Sequence, residues 1–403
     1  MLFEAAAGGE FLHATAALHS LVHKLGYQDV ILDFSETERL WPEFMLPLVT
    51  MCRLYRQENI DFQIIEPRDT QAARILSNTN WAHIIQPEKF ESKSAFNKNH
   101  LSVRQYFTPD EHHDAVDASL ELILHKARGL DHDRLKALEW ALNEICDNVL
   151  NHAQSAIGGL MQVATFPARQ RVEFFVADAG ITIPRSLRQS HPELGGDSEA
   201  LRAAVEEGVT RDRVSNQGNG LYGTFRCCEV SGGAFEIVTG MVSLQFKPGK
   251  YGRDLVVRRN AIPYSGTYVR ASIGYDYDRL LEEALVFRGK RHDPSFGYLE
   301  RVYQPSGDTI HFDVAGEVKS FGTRASGAAA RTKVENLMNG YTTPVEFNFG
   351  SVRLISSSFA DEVFGKLFEA LGPIRFGQLC HFKNVDSTVQ GLIDRAIAQR
   401  LKG

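Results

Sequence analysis

Residues 142–153, "LNEICDNVLNHA", carry a carboxylate, an amide and an imidazole one helical turn apart: Glu144, Asn148 and His152 stand at i, i+4 and i+8. On a helix that spacing puts the three on one face, away from the apolar face of Leu142, Ile145, Val149 and Ala153. A solvated helix more often presents Lys/Glu pairs. Further on, "VADAGITIP" (176–184) reads as a strand ending in an acid and a glycine, Asp178 and Gly180. "SNQGNGLYG" (215–223) is a loop with Gly218, Gly220 and Gly223 that opens a helix, where backbone N–H groups can cradle phosphate. "YSGTYV" brings a Gly-Thr step, with Thr267, into a later strand. Each stretch is common alone; their order and spacing make the case.

The elements that must position these residues fall into three blocks. Up to about residue 95 the order is α-β-α-β-α: a helix closed by Gly26, the strand "DVILDFS", a helix opened by Pro42 with Pro47 a turn later, the strand "IDFQIIEP" and a short helix with "NTNWAHII". From Leu101 the pattern gives a short strand, a helix, a long amphipathic helix with Asp131 as N-cap, and several hairpin-like strands, an α+β arrangement. From about Asp278 the order is β-α-β-α-β-α. "VILDFSETERLWPEFMLPLV" and "VEFNFGSVRLISSSFADEVFG" share a strand, turn and helix-start pattern that reads as a divergent internal duplication.

With those motifs in order, residues 105–275 resemble the GHKL ATPase superfamily of gyrase, MutL, histidine kinases and anti-sigma-factor serine kinases. "NEICDNVLNHA" looks like its N box, closest to the serine-kinase version; "DAGIT" looks like the G1 box, "GNGLYG" the G2 box, and "SGTYV" the last nucleotide-contacting strand. The resemblance implies ATP and magnesium. Asn148 would ligate Mg²⁺ and Glu144 would orient or deprotonate the attacking group. His152 would lie near the phosphates or pack structurally under the lid. Asp178 would accept from the adenine amino group with Gly180 beside the base, Gly218, Gly220 and Gly223 would shape the lid, and Thr267 would support the adenine side. The sequence departs from the family at Thr182, where the G1 box has glycine; a β-branched residue restricts the backbone there.

The flanking blocks resemble STAS-type domains, and the C-terminal one resembles a STAS-like domain of unknown function that accompanies GHKL ATPases. The expected chain is a multidomain α/β and α+β protein, a central Bergerat-type α/β sandwich between two small STAS-like α/β domains, at residues 1–100, 101–277 and 278–403. In antagonists of the STAS class a serine at a strand-to-helix junction is phosphorylated. Ser356, Ser357 and Ser358 stand at such a junction, with Ser358 at the phosphoacceptor position; helix capping is the competing reading. The N-terminal block has Trp41, Pro42 and Glu43 at the matching place, with no hydroxyl, and reads as a docking or dimerising module. His112 and His113 lack the sequence context of a histidine-kinase phosphoacceptor.

Composition bounds the function class. The chain has 403 residues, 43% hydrophobic and 23% charged, with a net charge of -6, which offers no global positive field for nucleic acid. The basic stretch "RGKR" (288–291) is local. Five cysteines without a CxxC pair fit a reducing cytoplasm and no zinc site. Neither a signal peptide nor an eighteen-residue apolar run is evident, so no membrane segment is expected. The expected protein is an ATP-dependent regulator, an ATPase or serine kinase of the GHKL type that acts on STAS-like domains and a protein partner, with a homodimer left open. The alternative is a non-catalytic, ATP-gated binding switch.

Overall fold

The computed structural model describes residues 11–93, 99–209, 219–249, 252–294, 297–304 and 307–401. Two compact units emerge: Met1–Leu122 with Ala137–Asp293, and Ile123–Lys136 with Pro294–Gly403.

The first unit opens with α1 (Phe11–His19), β1 (Asp29–Asp33), α2 (Pro42–Gln57), β2 (Asp61–Ile65), α3 (Thr70–Asn78) and α4 (Trp81–Ile85). Gly26 follows the first helical segment at φ 71°, a left-handed conformation that glycine adopts without penalty. β1 and β2 pair in parallel, Asp29 opposite Asp61, and alternate so that Val30, Leu32, Phe62 and Ile64 face inward. Then come β3 (Arg104–Tyr106), α5 (Pro109–Lys126), α6 (His132–Asn148), β4 (Gly159–Phe166), β5 (Arg171–Asp178), α7 (Ile183–Arg188), α8 (Asp197–Ala203) and α9 (Gly220–Val230). They are followed by the long hairpin β6 (Ala234–Gly249) and β7 (Gly252–Gly274), then α10 (Leu280–Ala284), β8 (Val286–Phe287) and β9 (Lys290–Arg291). The central sheet runs β3-β4-β5-β7-β6, antiparallel throughout.

Seven of the eight residues of β4 are buried, so side chains on both of its faces lie inside. On one face Leu160, Ala164, Phe175, Ala177 and Tyr268 join a single core with Phe11, Phe44, Leu48 and Trp81 of the N-terminal helices. The Phe11 ring meets Tyr264 and Tyr268 edge-on at 5.9 and 5.3 Å. Trp81 Nε1–H donates to Gln162 Oε1 at 3.1 Å, so the tryptophan of "NTNWAHII" docks on the sheet. Arg270 ties Glu173 of β5 to Glu43 of α2, at 2.9 and 3.8 Å. On the other face Met161 Sδ lies 3.9 Å from Cys146 Sγ of α6.

The second unit holds α11 (Tyr298–Val302), β10 (Ile310–Asp313), α12 (Val314–Glu317), α13 (Arg324–Leu337), β11 (Val345–Asn348), α14 (Ser357–Ala360), α15 (Lys366–Leu379), β12 (Cys380–Lys383) and α16 (Ser387–Arg400). Its sheet β10-β11-β12 is parallel, with Ile310, Val345 and Cys380 in register, as the alternating pattern requires. A π-helical turn at Asp361–Gly365 joins α14 to α15, and α15 breaks at Gly372, φ 71°, before Pro373. Residues 123–136 belong here through Asn336: its Nδ2 donates to Leu124 O at 2.8 Å and to Ala127 O, and its Oδ1 accepts from Leu130 N at 3.1 Å. No helix among the described residues is long and apolar enough to cross a membrane.

Candidate functional site

The first unit contains a cavity of about 340 Å³ whose floor is the C-terminal half of α6. Asp131 accepts from Arg134 N at 2.7 Å, so the expected cap starts this helix. Trp140, Glu144, Asn148 and His152 all line the cavity, with Asp147 and Asn151. The straight i, i+4, i+8 stripe, however, ends at Asn148. Val149–Ala153 is a π-helical turn closed by Gln154 at φ 51°. Its wider turn rotates His152 out of line with the other two while keeping it on the wall.

That same turn positions the far end. Ala153 O accepts from Ile181 N at 2.7 Å, and a Cβ on Gly180 would lie 2.0 Å from that oxygen, so only glycine fits. Asp178, the last residue of β5, lies in a row across the sheet: Gly159 on β4, Asp178, Thr267 on β7 and Thr239 on β6. Asp178 is 3% exposed. Its carboxylate accepts from Gly180 N at 2.8 Å and from the backbone of Thr267. Burial outweighs those bonds and pushes its pKa up to about 7. Thr239 Oγ1 lies 3.1 Å from Thr267 Oγ1, donates to Gly266 O and accepts from Ile183 N, both at 3.1 Å. Thr182 sits at φ -72°, ψ 153°, extended backbone that suits a β-branched residue, and its Oγ1 caps α7 by accepting from Arg185 N.

At the opposite end Glu144 stands against the N-terminus of α9. A Cβ on Gly220 would come within 2.3 Å of Glu144 Oε2, and one on Gly223 within 2.2 Å of the Trp140 ring. Burial, then the nearby Asp147, raises Glu144 to about 7. Asn148 Nδ2 donates to Glu144 O at 2.7 Å, which fixes the amide and leaves Oδ1 as its acceptor atom. Among the described residues no three His, Cys, Asp or Glu side chains cluster as a metal cage. A single amide oxygen is a hard donor of the kind that holds a cation only together with ligands from outside the protein. The N-terminus of α9 supplies backbone N–H groups for anionic oxygens.

The structure thus brings Glu144, Asn148, His152, Asp178, Gly220 and Thr267 to one cavity, with Gly180 and Gly223 packed against its walls. Gly218, Arg211 and Arg213 lie outside the described residues. The motifs do not announce Trp140, Phe287 and His292, which also line the cavity. His112 is 6% exposed and lies 3.3 Å from Asp147, an enclosed position for a phosphoacceptor. In the second unit the cap of α14 is Ser356, whose Oγ accepts from Phe359 N at 3.0 Å. Ser358 Oγ lies 3.0 Å from Ser356 Oγ, and Ser357 is exposed.

Residues 108–222 match the family model of the histidine kinase-like ATPase domain. Residues 327–390 match that of a STAS-like domain of unknown function. No curated protein matches the chain.

Proposed function

We propose that this chain, which carries a histidine kinase-like ATPase domain and a STAS-like domain, is a nucleotide-dependent regulator that binds Mg-ATP in the α6–α9 cavity. The observation that carries the reading is the polarity of that cavity. A buried carboxylate with a glycine beside it closes one end, and a carboxylate, an amide and a helix N-terminus converge at the other. In this reading Asp178 accepts from the adenine amino group, and Gly180 lets backbone approach the base. The N-terminus of α9 at Gly220 receives the triphosphate, and Asn148 Oδ1 holds the magnesium together with the phosphates. When bound, magnesium neutralises charge on the transferring phosphoryl group. Glu144 orients the attacking water or serine hydroxyl and takes its proton, and a pKa of about 7 suits a base that works near neutrality.

Ser358 is the proposed acceptor within the chain, with a hydroxyl on a partner protein as the other source. Phosphate there would add charge at a helix start and change what the STAS-like domain binds. Incubation with γ-labelled ATP and magnesium separates the outcomes. Label on Ser358 supports a kinase acting in cis or between protomers, and free phosphate alone an ATPase. Neither product, with ATP bound, supports a binding switch. Asn148→Ala is expected to abolish magnesium-dependent ATP binding, and calorimetry with unchanged affinity in Mg²⁺ would reject the assignment. Glu144→Ala is expected to keep binding and lose turnover.

A further inference from the structure

The cavity extends past Glu144. Trp140 lies one turn earlier on α6, and Ala153, at the Asp178 end, lies more than two turns later. At about 1.5 Å per residue, α6 and its terminal turn carry the cavity over about 20 Å. The wall beyond Glu144 comes from outside the matched ATPase segment, from the small hairpin β8–β9 and the residue that follows it. Arg288 and Gly289, at φ 51° and 73°, form a two-residue turn of the kind that matches strand twist. The hairpin is pinned where His292 N donates to Leu285 O at 2.8 Å and where Arg288 N donates to the Glu207 carboxylate. Its Phe287 ring lies 5.8 Å from Trp140, and the His292 ring lies 5.8 Å from Phe287 and 6.2 Å from Trp140.

Acidic side chains outnumber basic ones among the described residues that line the cavity. Glu144, Asp147 and Asp178 line it, and no Lys or Arg does so among the described residues. In the nucleotide reading, one magnesium and one helix N-terminus face the triphosphate's negative charge beside Glu144 and Asp147. Among the described residues two imidazoles line the cavity, His152 on the Asp178 side of Asn148 and His292 at the far end. Neither ring nitrogen of His292 has a hydrogen-bond partner among the described residues. The rings of Trp140 and Phe287 flank the imidazole on the cavity wall.

We propose that His292 is the γ-phosphate recognition residue of this site, a hydrogen-bond donor that the β8–β9 hairpin brings to the triphosphate end, so that the protein distinguishes ATP from ADP there. This rests on the nucleotide reading of the cavity. The test is calorimetric titration of the full chain with ATP, ADP and adenosine in magnesium, for the wild type, His292→Ala and His292→Gln, with nucleotide-free melting as the fold control. For His292→Ala, ATP affinity is expected to fall about tenfold or more, the effect of one lost hydrogen bond to a charged group. ADP and adenosine affinities are expected to stay unchanged, and His292→Gln, which keeps an N–H donor, to recover part of the loss. Equal weakening of ATP and ADP, or no weakening, would overturn the proposal, as would a wild type that binds the two alike. A wild type that binds no adenine nucleotide would overturn the nucleotide reading itself. Should His292→Ala fail to fold, the imidazole nitrogen resonances of His292 in the wild type decide: they are expected to move with ATP and not with ADP, and the same shift with both would reject the proposal.

Discussion

Two carboxylates with pKa values near 7 make the site respond to pH in ways that can be signed. Asp178 rises from 3.8 to about 7 and Glu144 from 4.5 to about 7, both chiefly through burial. Between about pH 4 and 7 the native protein therefore holds more protons than the unfolded chain, and these groups' contribution to stability falls as pH rises through that window. Melting of the nucleotide-free protein from pH 5 to 8 is expected to show the wild type losing ground to a Glu144→Gln/Asp178→Asn double variant up to about pH 7, with a constant difference above. In the proposed nucleotide reading, binding has the opposite sign. Only the ionised Asp178 accepts from an amino group with full charge, so adenosine affinity is expected to fall below pH 7. Asp178→Asn is expected to cost about 1.5–3 kcal/mol of that affinity and to abolish the pH dependence, readable by calorimetry. These residues are legible in the sequence because polar groups at helical spacing, and an acid closing an apolar strand, stand out against their neighbours. His292 is not legible: a lone histidine after a basic turn carries no periodic signal, and only the fold carries it to the cavity.

At the scale of elements, the glycines separate two kinds of close approach. Gly180 faces a backbone carbonyl, which has nowhere to go, whereas Gly220 faces the end of the Glu144 side chain, which can swing. Gly180→Ala is therefore expected to lower the melting temperature and nucleotide affinity together, and Gly220→Ala to keep the melting temperature and lose turnover by displacing the carboxylate. A measured drop in stability equal for both would refute this distinction. The expected helix start at Asp131 is read from its cap. The π-helical turn at Val149–Ala153 is hidden, because "VLNHA" continues an ordinary helical pattern and the packing of Ala153 against Gly180 and Ile181 selects the wider turn.

At the scale of the molecule, local patterns give strands and helices but not which apolar faces meet. The α-β-α-β-α order of the first 90 residues is legible. Its sharing of one core with the central sheet is not, since Phe11, Phe44 and Trp81 look like the interior of a small domain in isolation. Trp81→Ala removes a ring 1% exposed and leaves Gln162 without its indole donor. A loss of about 3–5 kcal/mol in urea unfolding is expected, reported by probes in both the N-terminal helices and the sheet. The second unit is discontinuous in sequence, and a fragment of residues 294–403 alone is expected to melt below the same unit in the full chain, as it lacks residues 123–136. That discontinuity also sets a timetable for synthesis. Leu130, Ala127 and Leu124 meet Asn336, which lies 206, 209 and 212 residues later. At about 5–20 residues per second they emerge from the ribosome roughly 10–40 s before their partner exists. For that interval the nascent chain carries this segment without the amide that pins it in the folded unit.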